Sequence, residues 1–339
     1  MRVIKIEKNN IDEELIKESG LYLREGKLVA FPTETVYGLG CNALDSEAFK
    51  KIFIAKGRPS DNPLIVHVGS VDDVYKYVSE FNDVARKLAN KFWPGPMTLV
   101  LNSNGVIPKE VYGNLPKIGI RIPSHPVALA LLKEAKVPVC APSANTSGKP
   151  SPTSAKYVIE DLDGKIDLII DGGDSEYGVE STVIDVGEDD IAILRPGGIT
   201  LEMVREVFPL AKLAQNIDEK TTGVALSPGM KYRHYTPKAK VILVTGRDKN
   251  IKIKNYLLDN SIDNYRILGA LENREKYVDF QYKDLGTFDD MKSFSHNLFR
   301  LFREADDDKI EYLFVEEIPN RGIGLAVMNR INRAKTMVL

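Results

Sequence analysis

Cysteine and histidine are scarce in this chain. Among its 339 residues there are two cysteines, Cys41 and Cys140, and four histidines. The cysteines form no CxxC pattern, and the histidines lack the spacing of zinc ligands. These absences argue against a disulfide framework and a zinc site, and the sequence does not indicate which residues would ligate a metal. We predict that both cysteines are buried thiols.

The chain also lacks a long hydrophobic run and an excess of charge of either sign. Residues 1–10 alternate charged residues with single aliphatic ones, unlike a signal peptide or a membrane span. The formal net charge is -2, which disfavours nucleic-acid binding by bulk electrostatics, because such binding depends on clustered lysine and arginine. We therefore expect a cytoplasmic protein that does not contact the membrane.

The common nucleotide-binding signatures are missing or misplaced. No Walker A loop is present. Gly38–Ala43 matches the sequence pattern of a dinucleotide-binding fingerprint. Such a fingerprint should begin directly at the end of a strand, but residues 32–37 separate this one from the preceding predicted strand. A Ser/His/Asp triad or a pair of catalytic carboxylates does not stand out either. A bound nucleotide would therefore be held by other means.

The apolar patterns indicate an α/β protein. In the first part of the chain, strands are predicted at 28–31, 64–68, 97–101, 118–122, 137–141, 168–170, 182–186 and 191–194. Helices are predicted there at 13–24, 47–55, 82–92, 126–134, 154–161 and 200–207. After residue 240, strands at 241–244, 266–270 and 312–315 alternate with helices near 251–258, 290–304 and 323–334. Strands that alternate with helices favour a small parallel-sheet domain.

A chain of this length is expected to form two domains, because single cores stop growing at roughly 250–300 residues. We predict a catalytic domain at 1–210, a linker at 211–240 and a small α/β domain at 241–339. Within the linker, Ser227–Pro237 is unusually aromatic and basic for a spacer. We predict that this segment, which includes His234, covers the active site and excludes water from it.

Two short polar segments have the composition of an anion-binding site. Lys56 and Arg58 stand one residue apart in a stretch, Lys56–Leu64, that also contains Gly57 and two prolines. Lysine supplies a point charge and arginine a forked donor suited to phosphate or carboxylate. Pro142–Asn145 forms a second polar turn after an apolar run. The pair of segments is more specific than either alone.

Other polar residues lie at the ends of predicted strands. The loop Pro32–Tyr37 carries two hydroxyls, a carboxylate and a phenol, a composition suited to a small polar ligand. Arg121 and Arg195 each end an apolar strand, where a buried cation needs an anionic partner. His67 lies within an apolar strand, which alone favours a hydrogen-bonded core histidine; its position just after the Lys56–Pro63 loop makes a role in binding an equal alternative. Dense cations and hydroxyls favour catalysis by positioning and charge stabilisation, as in phosphoryl or nucleotidyl transfer.

These segments resemble the threonylcarbamoyl-AMP synthase family. The residues that carry the resemblance are Lys56, Arg58, Ser143, Asn145, Pro32–Gly40, Pro94–Pro96 and Thr98. The second domain, with Gly322, Gly324, Asn329 and Arg330, resembles the long two-domain form. The resemblance implies a YrdC-like twisted mixed sheet with flanking helices and a basic concave cavity, followed by a small C-terminal Rossmann-like domain.

The resemblance also implies the reaction and its participants. L-threonine, bicarbonate or CO2, and ATP with Mg²⁺ would give threonylcarbamoyl-AMP and diphosphate. The product would pass to a tRNA threonylcarbamoyl transferase complex, and the protein would make a weak contact with tRNA or another RNA. Threonine would be bound by Thr33, His67, Arg121 and Ser181. ATP would be bound by Lys56, Arg58, Ser60, Ser143, Asn145, Arg195 and His234, with Lys56 and Arg58 as the catalytic cations.

Two alternatives remain open at this stage. The first is a module that binds double-stranded RNA or tRNA without catalysis, against which the slightly acidic net charge counts. The second is an ATP-consuming ligase for a different amino acid.

Overall fold

A computed structural model describes residues 1–59, 62–187, 190–214 and 235–339. The chain folds into two compact units, one within Met1–Ser147 and Ser151–Tyr232, the other within Gly148–Pro150 and Arg233–Leu339. No helix among the described residues is long and apolar enough to cross a membrane. The boundaries 1–210, 211–240 and 241–339, with the functions attached to them, stay a prediction.

The first unit alternates strands and helices. Its strands are β1 (Arg2–Lys5), β2 (Val29–Phe31), β3 (Gly38–Asn42), β4 (Ile65–His67), β5 (Met97–Asn102), β6 (Lys117–Arg121), β7 (Val139–Cys140), β8 (Leu168–Asp171), β9 (Thr182–Val186), β10 (Ile191–Arg195) and β11 (Lys212–Leu213). Its α-helices are α1 (Glu13–Arg24), α2 (Ser46–Lys56), α3 (Val71–Val74), α4 (Asp83–Phe92), α5 (Pro126–Ala135), α6 (Ala155–Leu162) and α7 (Leu201–Arg205), and a 3-10 helix spans Lys109–Tyr112.

These strands form one mixed sheet in the order β1-β8-β2-β3-β7-β4-β6-β5-β9-β10-β11. The central strands β3, β7 and β4 pair antiparallel, whereas β4 and β6 pair parallel. One buried cluster, which includes Leu39, Ile52 and Leu88, and a second, which includes Phe31 and Leu131, contain apolar side chains of both the sheet and the helices. The predicted twisted mixed sheet with flanking helices is confirmed as the fold class.

Side-chain caps explain where several helices begin. The carboxylate of Asp12 accepts the backbone N–H of Leu15 at the start of α1, and the amide oxygen of Asn82 accepts that of Ala85 at the start of α4. Such caps satisfy amide groups that have no partner inside the helix. The predicted helix at 13–24 therefore has the bounds that the structure shows.

The second unit contains a smaller sheet. Its strands are β12 (Lys240–Val244), β13 (Tyr265–Ala270), β14 (Tyr282–Gly286), β15 (Tyr312–Glu316) and β16 (Met337–Val338). Its α-helices are α8 (Lys249–Asp259), α9 (Met291–Asp307) and α10 (Ile323–Ala334), with a 3-10 helix at Leu271–Tyr277. The order is β14-β13-β15-β12-β16, and all of these pairs are parallel. The prediction of a small Rossmann-like parallel-sheet unit is confirmed.

The two cysteines face each other across the centre of the first sheet. Cys41 on β3 and Cys140 on β7 are direct register partners, and their Sγ atoms lie 3.4 Å apart as free thiols. Both side chains are buried, as predicted. The hydrogen bond with Cys140 and burial raise the pKa of the Cys41 thiol, so the pair is suited to packing.

Candidate active site

A helix end presents Lys56. Asp45 caps the start of α2, and Gly57 ends the helix with a positive φ of 60°, a conformation that glycine adopts without strain. Lys56, the last helical residue, is only 2% exposed. Its Nζ donates hydrogen bonds to the backbone oxygens of Ser143 and Asn145. The helix end and the polar turn, 87 residues apart in sequence, therefore meet at one ammonium group.

The polar turn itself is ordered by its own side chains. The Ser143 hydroxyl donates to Asn145 Oδ1 at 2.5 Å, and Asn145 Nδ2 donates to the Thr146 carbonyl at 2.8 Å. Asn145 is buried, whereas Ser143 is half-buried. Arg58 is half-buried too, and its Nη2 makes long hydrogen bonds of 3.4 and 3.3 Å to the carbonyls of Asn62 and Pro63. The predicted ATP residues Lys56, Ser143 and Asn145 thus form one contiguous group.

The loop 32–37 and strand β6 meet through a buried ion pair. Arg121 Nη2 donates to Glu34 Oε1 at 2.7 Å and to Thr35 Oγ1 at 2.9 Å. The Thr33 hydroxyl donates to the Val36 carbonyl at 2.7 Å and lies 2.8 Å from Thr35 Oγ1. Thr33 therefore shapes this loop through its own hydroxyl, and Arg121 has a counter-ion within the same loop.

His67 lies beside Arg121 on the neighbouring strand β4, in direct register with it. Its ring packs edge-to-face on Phe31 at a centroid distance of 6.2 Å. Burial, together with the positive charge of Arg121, lowers the pKa of His67 to about 3. His67 Nδ1 and Arg121 Nε have no hydrogen-bond partner in the part of the chain that the structure describes. Buried polar atoms are seldom left unpaired, so this pair of atoms marks a position suited to a polar ligand.

The low pKa of His67 predicts how stability depends on pH. The ordinary pKa of histidine is 6.5, so below pH 6.5 the unfolded chain binds a proton at His67. The folded chain binds that proton only near pH 3, because its pKa there is about 3. The free energy of unfolding therefore falls as the pH decreases through that window, by about 2 kcal/mol between pH 7 and pH 5. Urea denaturation of the wild type and of His67→Asn, followed by the fluorescence of the single tryptophan, Trp93, measures this. An equal pH dependence in both proteins would contradict it.

A third polar group connects Arg195 and Ser181. Arg195 Nε donates to the Ser181 carbonyl and Nη2 donates to Ser181 Oγ, both at 3.1 Å. Ser181 Oγ also lies 2.8 Å from Thr98 Oγ1. All of these side chains are buried. A residue predicted to bind ATP and a residue predicted to bind threonine are therefore in direct contact.

The groups of Arg121 and Arg195 lie at the same end of the central strands of the first unit. The polar turn follows β7 at the opposite end, because β7 runs antiparallel to β4 with Val139 opposite His67 and Cys140 opposite Val66. Thr98 on β5 is the register partner of Arg121 on β6. The group of Arg195, to which Thr98 belongs, and the group of Arg121 therefore lie on adjoining strands. The polar turn is attached to the loop 32–37 through the backbone hydrogen bond from Ala144 N–H to the Tyr37 carbonyl at 2.8 Å. No sequence pattern assigns a role to Glu34, although its position in the polar loop 32–37 indicates that it belongs to the site. Ser60 and His234, both predicted to bind ATP, lie outside the described residues.

The described residues contain no group of three or more histidine, cysteine, aspartate or glutamate side chains that could hold a metal ion. The polar groups above are dominated by cations and hydroxyls. Their chemistry fits an anionic ligand better than a bound cation.

Two family models together match most of the chain. The first, Sua5_yciO_yrdC, described as "Telomere recombination", matches residues 21–197. The second, described as "Threonylcarbamoyl-AMP synthase, C-terminal domain", matches residues 199–336. Both parts of the predicted resemblance, the YrdC-like domain and the long form, are therefore confirmed.

Relatives named threonylcarbamoyl-AMP synthase resemble the chain over nearly its full length. The threonylcarbamoyl-AMP synthase of Pyrococcus abyssi is 44% identical over 335 residues, covering 98% of each chain. That of Bacillus subtilis is 41% identical over 323 residues, covering 94% of this chain and 92% of the relative.

A solved structure has the same fold. The crystal structure of P. abyssi Sua5 complexed with L-threonine superposes with a TM-score of 0.93 at 43% identity, covering 100% of this chain and 99% of the other. Matches of this identity and coverage in both domains decide the assignment: the chain belongs to the threonylcarbamoyl-AMP synthase family.

Proposed function

We propose that the polar groups of the first unit join L-threonine, bicarbonate or CO2, and ATP into threonylcarbamoyl-AMP and diphosphate, for the modification of tRNA. Family membership carries the synthase activity. The observation that supports its place in the fold is the contact between residues predicted to bind the two substrates: Arg195 donates to Ser181, and Thr98, which contacts Ser181, is the register partner of Arg121. The same membership favours catalysis over the alternative of a passive RNA-binding module. Release to a tRNA threonylcarbamoyl transferase complex, a weak tRNA contact and a cytoplasmic location stay predictions.

The threonine end of the site is proposed at Arg121, His67, Ser181 and Thr33. Arg121 is buried with an unpaired Nε among the residues described, and a guanidinium of this kind suits a carboxylate. His67 is neutral near pH 7, because its pKa is about 3, so it offers a hydrogen bond without a second positive charge. With its carboxylate on Arg121, threonine keeps its amine free to capture CO2 as a carbamate.

The ATP end is proposed at Lys56, Arg58, Ser143, Asn145 and Arg195, together with Ser60 and His234 of the undescribed segments. The carbamate oxygen attacks the α-phosphorus of ATP and diphosphate leaves. Lys56 and Arg58 act as the catalytic cations, which stabilise the negative charge that develops on the phosphate oxygens. The Ser181–Arg195 contact at 3.1 Å holds the two ends of the site together.

Mg²⁺ is proposed to enter with ATP. The described residues supply no acidic cluster for a resident ion, and Mg²⁺ is often bound mainly by substrate phosphates and water. Mg²⁺ bound in this way supplies charge neutralisation on the phosphates, and the side chains named above orient the substrates.

The residues 215–234 of the proposed linker lie outside the described chain. The next residue, Tyr235, is buried within the second unit and stacks on Phe299 at 5.2 Å. We propose that the segment before it covers the active site and excludes water from the labile product.

The proposal is tested by diphosphate release with a panel of amino acids. We expect release from ATP and bicarbonate to depend on L-threonine, with L-serine and L-valine at least roughly tenfold less effective in kcat/KM, because each lacks one group of the threonine side chain. Omission of bicarbonate from CO2-depleted buffer is the control and is expected to abolish release. Equal rates with all three amino acids would contradict the assignment of threonine and favour a different ligase.

A further inference from the structure

Glu34 is a buried carboxylate whose two oxygens are both occupied. It is 3% exposed. Its Oε1 accepts a hydrogen bond from Arg121 Nη2 at 2.7 Å, and its Oε2 accepts the backbone N–H of Ser124 at 3.1 Å. Its own carbonyl accepts the Tyr177 N–H at 2.7 Å. Side chain and backbone are therefore both fixed, and the carboxylate is directed at one nitrogen of one arginine.

Arg121, which Glu34 holds, uses only some of its N–H donors in contacts with the described residues. Glu34 and Thr35 both accept from the same terminal nitrogen, Nη2 of Arg121. The Nε of that guanidinium has no partner among the residues described, although the side chain is 5% exposed. A guanidinium has five N–H donors in a planar fork. Glu34 therefore fixes the plane of the fork from one side and leaves a donor on another edge.

The charge of the pair also suits an amino acid. An arginine buried alone needs an anion, and Glu34 supplies it, so the buried Arg121–Glu34 pair carries no net charge. A zwitterionic amino acid then adds its carboxylate to an arginine that is already oriented. Binding by a fixed group avoids the entropy loss of ordering a mobile side chain.

We propose that Glu34 is a positioning residue for the amino-acid substrate: it holds Arg121 in the orientation in which the free edge of the guanidinium receives the substrate carboxylate. This inference rests on the proposed function, since it takes threonine as the ligand of Arg121. Glu34 itself is not required to touch the substrate.

The test is Glu34→Gln, with Glu110→Gln, an exposed glutamate of the same unit, as the matched control. The glutamine has nearly the same size but no charge, and because only one of its two terminal atoms is an acceptor, either Arg121 or Ser124 faces an NH2 group. Isothermal titration of each protein with L-threonine, with L-threoninamide, which has no carboxylate, and with ATP separates the effects. We expect threonine to bind Glu34→Gln about 30-fold more weakly, consistent with loss of a buried charge-assisted contact. Threoninamide and ATP are expected to stay within about twofold of wild type, because neither uses the positioned edge of Arg121.

The outcomes distinguish the inference from the proposed function. Unchanged threonine affinity in folded Glu34→Gln would overturn the positioning role, as would equal losses for threonine and threoninamide, which indicate a general distortion. Wild-type protein that binds ATP but not threonine would overturn the proposed substrate and the inference with it. If Glu34→Gln does not fold, Thr35→Val removes the other acceptor of Arg121 Nη2 at nearly constant volume. It is expected to weaken threonine about fivefold and to spare threoninamide, and equal effects on both ligands would overturn the role.

Discussion

Replacement of Lys56 by methionine is expected to lower kcat/KM for ATP by about 10²- to 10³-fold, the usual effect of removing one electrostatic contact to a transition state. Methionine keeps the apolar part of the side chain, which is buried, and removes only the ammonium. The backbone oxygens of Ser143 and Asn145 then lose the donor that holds the polar turn against α2. We expect the loss in kcat and in ATP affinity together, because one cation both orders the turn and faces the phosphates in the proposed site.

The same helix offers a matched control for this prediction. Lys50 has a side-chain exposure of 58% and pairs with Glu47 on the surface of α2. Lys50→Met changes charge by the same amount and is expected to leave kcat/KM within about twofold, since exposed ion pairs contribute little. Steady-state diphosphate release at saturating threonine measures both variants. Activity of Lys56→Met within threefold of wild type would refute the catalytic assignment of this lysine.

Most of the secondary structure could be predicted because periodicity and caps are local. The predicted helix at 323–334 matches α10, and the predicted strand at 182–186 matches β9. The strand β3 was missed, because Gly38 and Gly40 resemble a loop in sequence. The structure supplies the reason for Gly40: a Cβ there would lie 2.8 Å from the Phe31 ring and 2.7 Å from Val139. Close packing across the sheet, which no local pattern displays, selects glycine within this strand.

The edges of both sheets were missed for a related reason. β1 has only one buried residue, Ile4, and β16 has two exposed residues at the end of the chain. β14 is a half-buried edge strand of the second sheet. A strand that pairs on one side buries too few side chains to show an apolar run, and its position depends on a distant partner. Edge strands are therefore the elements that are hardest to predict from the sequence.

In the site, residue types could be predicted but pairings could not. The sequence shows Lys56 and a polar turn, but the acceptors of Lys56 are main-chain oxygens, which every residue possesses. It likewise shows Arg121 at a strand end and a need for an anion, without showing that Glu34, 87 residues away, meets that need. Such contacts depend on the tertiary fold: β3, β7 and β4 lie between β2 and β6 in the sheet, yet the loop after β2 reaches Arg121 on β6.

Replacement of Arg121 by methionine is the second change with a large expected effect. It leaves Glu34 buried without its counter-ion, and breaking a buried pair by removing one partner destabilises by about 3–5 kcal/mol. It also removes the proposed carboxylate ligand, so kcat/KM for threonine is expected to fall by about 10²- to 10³-fold. Urea denaturation reported by Trp93, which is buried in the same unit, measures the stability, and diphosphate release measures the activity.

The double variant Arg121→Met/Glu34→Gln separates the two losses. It removes both charges of the buried pair, so that no uncompensated charge remains buried. Most of the stability lost in Arg121→Met is therefore expected to return, whereas threonine affinity is expected to stay low, because no guanidinium remains to bind the carboxylate. Recovery of threonine affinity along with stability would mean that Arg121 acts only as the partner of Glu34, and the substrate carboxylate would then have to be bound elsewhere in the site.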